Sequence, residues 1–377
     1  MKLTSFIKIA TLSVILIFLI SGTVYCQDHN EHKTAETHSK DTHKSSKDDA
    51  FDITSMIMHH ISDSHEFHVY GKNEDHFPKA LTVPLPIILW TKNGLVTFMS
   101  SEFHHNDDGT QIIEKKGLKF AKFHNKIYQV DNGVISLDEK HHPTNSKPLD
   151  FSITKNVFVL FLSVLLLLLG FGAAGRSYKK TGISAPKGIA KFLEPLVLFI
   201  RDEIAIPNIG EKHYRKYIPL LLTIFFFVWL NNIFGLIPFF PFAANVSGNI
   251  AFTLTLAVIV FIVVNLSGNK NYWKHIFWMP GVPVPMKIFL APIEVIGMIV
   301  KPVSLMIRLF ANITAGHIIV LSLIGLIFVL KTVWVAPVSV AFTLFISVIE
   351  ILVTAIQAYI FTMLTSLYIG AAIEEEH

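Results

Sequence analysis

The sequence predicts an all-α polytopic membrane domain of about five membrane helices, the last two forming a long tilted hairpin, plus one interfacial amphipathic helix and a small N-terminal β-rich extramembrane domain. Three observations predict it. Of the 377 residues, 51% are hydrophobic, and the mean hydropathy is +0.50, outside the range usual for soluble globular chains. The apolar residues are concentrated after Asn156, whereas residues 27–150 are polar and rich in histidine. The apolar part also carries ionisable side chains far from the ends of its runs. The predicted divisions are a signal peptide over 1–26, a His-rich tether without apolar periodicity over 27–66, a β-rich periplasmic extension over 67–150 and a membrane domain over 151–377.

Each element has its own warrant. Lys2 and Lys8 precede the apolar run Ile9–Ile20, which is followed by Ser21, Gly22 and Thr23, the charge and hydropathy order of a secretory leader cleaved near Cys26. Val24 and Tyr25 are larger than the residues expected before a lipid-modified cysteine, so acylation of Cys26 is the lesser reading. Cys26 is the single cysteine, which excludes a disulfide framework within the chain. Short alternating runs at Leu85–Trp90, Leu95–Met99 and Ile127–Ile135, separated by Asn93-Gly94, Asp108-Gly109 and Asn132-Gly133, predict strands and turns.

Fourteen of the 18 histidines fall between His29 and His142, including the pairs His59-His60, His104-His105 and His141-His142. Their scatter lacks the spacing of a defined ligand set, so no metal site is assigned and no cofactor is expected. The net charge of +4 is small and its cations are dispersed, which argues against a nucleic-acid partner.

Asn156–Gly175 is long enough to cross a bilayer and is followed by Arg176, Lys179 and Lys180. After Pro186, an amphipathic pattern sets Lys191, Glu194, Arg201 and Asp202 against Phe192, Leu196, Phe199 and Ile200, with a kink expected at Pro195, and predicts a helix lying along the inner surface. Ile218–Pro238 and Ile250–Leu266 are further spans, joined by the uncharged connection Phe239–Asn249. Nine Lys or Arg lie between Arg176 and Lys216, and Lys270, Lys274 and Lys287 follow, so the positive-inside rule predicts an external N-terminus and a cytoplasmic C-terminus. Val284–Leu330 and Val338–Ile373 exceed an upright span and predict the tilted hairpin, broken only at Trp334–Pro337.

The hairpin carries Glu294, Lys301, Arg308, Asn312 and His317 on its first arm and Glu350, Thr354, Gln357 and Tyr359 on its second. Ionisable groups at membrane depth are costly and mark an ion path or a partnered site. Glu294, Lys301 and Arg308 recur every seven residues and, with Asn312, form one polar stripe. Measured from Trp334, His317 lies 17 residues before the tip (334 − 317) and Glu350 lies 16 after it (350 − 334), at similar depth and suited to a proton-relay pair. Arg308 and Gln357 are also close in depth, so Gln357 is expected to hold the guanidinium. Helical geometry puts His317 about 180° around from Arg308 and about 13.5 Å along the axis.

Lys301-Pro302-Val303-Ser304-Leu305-Met306-Ile307-Arg308-Leu309-Phe310-Ala311-Asn312, continued by Ile313-Thr314-Ala315-Gly316-His317, resembles the signature of subunit a of F-type ATP synthases. Glu194-Pro195 through Glu203, Asn231–Pro238 and Gln357-Ala358-Tyr359-Ile360-Phe361 resemble family segments in the same order, so the similarity covers Asn156–Ile373. The resemblance implies a non-catalytic, proton-conducting stator subunit in the bacterial inner membrane. Its implied partners are a rotating subunit c ring, a subunit b peripheral stalk, the remaining synthase subunits and the lipid bilayer. It also implies that Arg308 is the essential arginine and that Glu294, Asn312, His317, Glu350 and Gln357 are the polar positions of two half-channels. The N-terminal 150 residues depart from the family pattern, which has a short external leader. The sequence lacks the Gly-x4-Gly-Lys-Thr/Ser loop of a nucleotide site. Two other classes are weighed. A secondary transporter predicts paired internal repeats with broken helices, and an anchored metal sensor predicts that the His-rich segment decides activity.

Overall fold

The fold is taken from a computed structural model, in which residues 57, 61–70, 81–130, 133–138, 142–181, 188–237, 240–242, 244–330, 332 and 334–374 are described. The expected leader, the tether up to residue 60 apart from residue 57, the pairs His59-His60 and His141-His142 in part, Pro186 and the acidic C-terminal residues Glu375 and Glu376 lie outside them. The chain is mostly helical, with a small β-rich region at its N-terminal side.

The β-rich region comprises β1 (Glu66–Tyr70), β2 (Leu81–Pro84), β3 (Pro86–Thr91), β4 (Gly94–Met99), β5 (Asp108–Lys115), β6 (Leu118–Phe123), β7 (Lys126–Gln129) and β8 (Leu149–Asp150). They pair antiparallel as β1-β2, β4-β3-β8 and β5-β6-β7. Period-two alternation points Ile87, Leu89, Val96 and Phe98 inward, where they meet Phe103, Ile113, Phe120 and Ile127 in one buried cluster. The turn expected at Asp108-Gly109 is instead the start of β5. Gly109 has φ +83°, and the register with β6 shifts between Asp108 and Ile112, so the residue pair makes a bulge. The hairpin turns fall at Lys116-Gly117 and at His124-Asn125, all four residues with positive φ. The run expected to continue to Ile135 stops at Gln129. Ser64 and His65, which sequence places in the tether, are already buried.

Beneath β1 lies an ion cluster. Lys122 Nζ is 3.4 Å from Glu66 and 3.8 Å from Asp107, and His105 Nδ1 is 2.7 Å from the second oxygen of Glu66. Burial opposes ionisation of Glu66, but the Lys122 ammonium and the bond to His105 outweigh it and hold its pKa below the ordinary glutamate value. A depressed carboxylate pKa stabilises the fold above the unfolded-state pKa and loses that contribution as pH falls through the folded one, so the region should loosen below about pH 4.5. At neutral pH, Lys122→Ala leaves Glu66 and Asp107 without their buried cation, and is expected to cost about 3 kcal/mol. Limited proteolysis of the membrane-embedded chain checks both: cleavage within 81–130 should rise on acidification and in the variant.

Among the described residues, five helices are long and apolar enough to cross a membrane. These are α1 (Lys155–Thr181), α4 (Tyr214–Leu236), α5 (Ile250–Ser267), α7 (Val284–Leu330) and α8 (Val335–Ile373). Shorter helices α2 (Ile189–Phe199), α3 (Ile206–Ile209) and α6 (Lys270–Phe277) connect them at the end opposite the β-rich region. Pro195 lies inside α2, and Ile200–Ala205 widens into π geometry between α2 and α3. Ala190, Ile200 and Ile204 of this segment are buried, whereas Ile189, Phe192 and Phe199 are exposed, so the side expected to be apolar is divided: Ile200 packs into the bundle while Phe192 and Phe199 face outward.

α7 is continuous through Pro292 and Pro302. Pro337 falls in the first turn of α8 instead of in the loop, a position where the absent amide would have had no helical partner. At the hairpin tip the Ser339 hydroxyl donates to the Leu323 carbonyl. α4 is the central helix: Leu221, Phe225 and Val228 are buried in the main cluster with Leu305, Leu309 and Ile313 of α7 and Ala358, Phe361 and Ile369 of α8.

The β-rich region is seated on this bundle. Lys155 N donates to Ser64 O at 2.9 Å, Ile153 N to Pro86 O at 3.1 Å and Phe151 N to Ile88 O at 2.8 Å, so the segment that leads from β8 into α1 stays paired along β3 up to the start of the helix. Phe67, Phe158 and Phe240 form a three-ring contact with centroids 5.3 to 6.1 Å apart, joining β1, α1 and the α4–α5 connection.

Candidate functional site

The buried stripe Leu305-Leu309-Ile313 repeats every four residues and fixes how α7 is rotated against its neighbours. That rotation distributes the polar side chains of α7 into three groups along the helix. Arg308 and His317 are nine residues apart (317 − 308), about 13.5 Å and half a turn in phase, so the two face different surroundings.

The first group is nearest the β-rich region. His317 points at α4, where a Cβ placed on Gly235 would stand 3.5 Å from its Nε2. The small residue at 235 leaves room for the imidazole. The same glycine abuts the Ala244 carbonyl and the Asn245 backbone of the α4–α5 connection. His317 Nε2 is buried without a hydrogen-bond partner, and so are Asn232 Nδ2 and Asn245 Nδ2. Glu350 of α8 lays its carboxylate against Gly316, in the space a side chain there would occupy. The expected pair is therefore brought to the same level and within one residue of each other, with no hydrogen bond between His317 and Glu350 among the described residues. Asn231 Nδ2 donates to Ser163 Oγ of α1 at 3.2 Å, and Ser247 donates to Asn232 Oδ1, which extends the polar surface across α1, α4 and the connection.

The middle group holds Arg308, Asn312 and Gln357. Gln357 is 2% exposed, and its Oε1 accepts from Asn312 Nδ2 at 2.8 Å. The structure thus differs from the expectation that Gln357 holds Arg308: Asn312 is one helical turn nearer and takes the amide. No hydrogen bond or ion pair joins Arg308 to another described side chain, although its charge reaches Tyr368 of α8. Thr354 is buried one turn before Gln357 and donates to its own helix at Ile351 O, 2.7 Å away.

The third group lies towards the opposite end. Lys301 Nζ stands 5.6 Å from the centroid of the Tyr368 ring. Glu294 is within electrostatic reach of the Tyr272 hydroxyl of α6, which approaches Asn265 Oδ1 at 3.4 Å. Asn265, Tyr272, Lys301 and Tyr368 line a cavity of about 20 Å³, room for one water.

Sequence reading singled out Glu294, Arg308, Asn312, His317, Glu350 and Gln357, and all six lie on the hairpin along the sides just described. It missed Lys155, Asn232, Asn245, Asn265, Tyr272 and Tyr368. Asn and Tyr close to helix ends carry no periodic signal, and only the fold shows that they meet the hairpin.

Fold and site together define a polytopic membrane protein with polar groups at three levels of one long helical hairpin. A family model described as ATP synthase A chain matches residues 157–370. A second model, described as a domain of unknown function (DUF8433), matches residues 56–151. ATP synthase subunit a of Chloroherpeton thalassium is 46% identical over 233 residues, 60% of this chain and 68% of the relative. ATP synthase subunit a 2 of Chlorobaculum tepidum is 44% identical over 254 residues, covering 64% of this chain and 70% of the relative. ATP synthase subunit a of Pelodictyon phaeoclathratiforme is 45% identical over 260 residues, covering 66% and 74%. The chain belongs to the subunit a family of F-type ATP synthases.

Proposed function

We propose that this chain is the proton-conducting stator subunit of an F-type ATP synthase, supplying two half-channels to a rotating ring of subunit c and coupling proton flow to ATP synthesis on other subunits. The observation that carries the reading is Arg308: a guanidinium midway along a membrane hairpin, with no carboxylate of its own chain paired to it among the described residues. An unpartnered charge at that depth is costly, so its counter-ion comes from outside the chain, and a ring helix with a membrane carboxylate provides one. A guanidinium pairs with a passing carboxylate but does not give up its proton, so it attracts an ionised ring site without relaying a proton across.

The two polar regions on either side of Arg308 are the half-channels. His317 and Glu350, with Asn232 and Asn245, receive protons on the side of the β-rich region, and Glu294 with the cavity at Asn265, Tyr272 and Lys301 releases them at the other. Asn312 and Gln357 brace the interface beside Arg308. The end opposite the β-rich region carries Arg176, Lys179, Arg215, Lys216, Lys270 and Lys274, which supports a cytoplasmic placement for it and a periplasmic one for the extension in a bacterial inner membrane. The exposed Ile189, Phe192 and Phe199 suit α2 to the inner membrane surface. A subunit b stalk and the remaining subunits complete the stator. Imidazole and carboxylate relays favour protons over sodium. A secondary transporter is disfavoured because α7 and α8 run unbroken over 47 and 39 residues.

Passive proton leak through membranes stripped of the soluble catalytic sector tests the channel directly. Wild-type vesicles should dissipate an imposed pH gradient, and Glu350→Gln should slow that leak by about tenfold or more, as expected on removing a relay carboxylate. An unchanged leak in an assembled variant would remove Glu350 from the route.

A further inference from the structure

The extension is joined to the bundle by more than backbone pairing. Asp63 accepts from Asn156 N at 3.2 Å, so its carboxylate caps the start of α1, and its charge reaches the Lys155 ammonium. Lys155 is only 7% exposed although it is the first residue of a membrane helix, and its own charge reaches His317. Two residues after Asp63, His65 is 2% exposed, with Nε2 3.3 Å from Asp150 Oδ2. The Asp150 side chain remains 29% exposed, so this pair has one end in solvent and the other inside the seam.

Buried polar atoms without partners follow the same line. His65 Nδ1 in the extension, Asn156 Oδ1 at the start of α1 and His317 Nε2 on α7 are each buried and without a hydrogen bond. Buried polar atoms are almost always satisfied, and several orphans along one seam are what a file of water molecules would satisfy. On the flank of this seam the rings of Phe67, Phe158 and Phe240 form an apolar wall.

Resting on the half-channel reading above, we infer that the extension carries the outermost stage of the proton route: water and protons reach His317 through the seam between the extension and α1, past Asp150, His65 and Asn156. Lys155 is a positioning residue, its buried ammonium within electrostatic reach of both Asp63 and His317. An imidazole with one nitrogen towards Asp150 and the other towards the seam passes a proton by taking it on one nitrogen and releasing it from the other, with no net change in the residue. The charged and titratable groups facing this corner are Asp63, His65 and Asp150 from the extension, Lys155 from α1, His317 from α7 and Glu350 from α8.

Silver ions, which are water-sized and bind thiolates, test the seam in the assembled synthase. Asn156→Cys is compared with the wild type, whose single cysteine is Cys26. Right-side-out membranes are treated with silver and then inverted, and ATP-driven proton pumping is read as the ratio of treated to untreated rate for each chain. The expected result is a fall of about fivefold or more for Asn156→Cys, as for a water-lined passage obstructed at its mouth, with the wild-type ratio near one. Thiol reaction without loss of pumping, or a thiol that silver does not reach, overturns the route.

If Asn156→Cys does not assemble, Ser64→Cys, at the buried residue whose carbonyl accepts from Lys155 N, is read in the same way. For the positioning role, Lys155→Met should lower the pumping rate by about threefold or more and Lys155→Arg should restore it, because the latter keeps the charge. Equal rates in wild type and Lys155→Met overturn that role. Arg308→Ala separates the two levels of argument: if it still pumps, the stator reading fails, whereas silver-insensitive pumping that still requires Arg308 sinks only the route through the seam.

Discussion

Arg308→Ala should abolish ATP-driven proton pumping in inverted vesicles, lowering it by about 100-fold or more, while the complex stays assembled. Assembly is expected to survive because Arg308 has no hydrogen bond or ion pair to another described side chain, so its loss orphans none of the described residues. The packing of α7 rests instead on Leu305, Leu309 and Ile313, which the substitution leaves in place. Function should not survive, because the charge that draws an ionised ring carboxylate to the stator is gone. Arg308→Lys should fail as well. A lysine ammonium deprotonates when desolvated and lacks the planar fork that engages both carboxylate oxygens, so it neither holds the site nor blocks a proton passing straight across. Passive leak through stripped membranes should therefore persist in both variants even though pumping is lost. Pumping retained in assembled Arg308→Ala membranes would show that the guanidinium is not the rotor contact.

The helices of the membrane domain were legible in the sequence because each is a long apolar run, and Val284–Leu330 was read to the residue despite two prolines. Length outweighs a proline when the rest of the segment has nowhere else to put its apolar surface. The depths of His317 and Glu350 were legible for a similar reason, since counting from a hairpin tip needs only the rise of a helix. The partner of Gln357 was not. Counting set Arg308 near the depth of Gln357 and did not weigh Asn312, because which side chain of α7 meets the amide depends on how α7 is rotated about its axis, which packing against α4 and α8 decides. In the extension, the turn expected at Asn93-Gly94 falls one residue earlier, at Lys92-Asn93, with Gly94 opening β4, whereas Asp108-Gly109 became a bulge because the partner strand β6 extends far enough to pair with Asp108. The hairpin at His124-Asn125 had no glycine to mark it. Lys155 was passed over because a lysine before an apolar run reads as a solvated flank, and only the docking of Asp63 and Ser64 over the start of α1 buries it.

Gly370→Val should remove most of the chain from the membrane, because α8 crosses α3 at that residue with no space for a side chain. A Cβ on Gly370 would run into the Asn208 carbonyl oxygen, and the Asn208 carbonyl carbon would stand 3.0 Å away. Backbone atoms cannot turn aside as a side chain would, so one helix has to move. Movement is opposed on both sides of the contact. Ser366 donates to Ile204 O at 3.1 Å, and beyond the crossing Asn269 N donates to Ala372 O at 2.9 Å, with Asn269 Nδ2 to Ile373 O at 2.7 Å. Overpacking of a constrained core costs about 1–3 kcal/mol, and a backbone collision lies at the upper end or above it. Gly370→Ala should therefore already reduce the amount of chain in membranes, and Gly370→Val should reduce it further. The effect should appear in immunoblots of membrane fractions and in the recovery of intact complex, with pumping falling in proportion to the complex recovered. That proportionality separates it from Arg308→Ala, in which the complex is present and idle. Normal levels of Gly370→Val chain in membranes would show that α3 and α8 are not held together at this crossing.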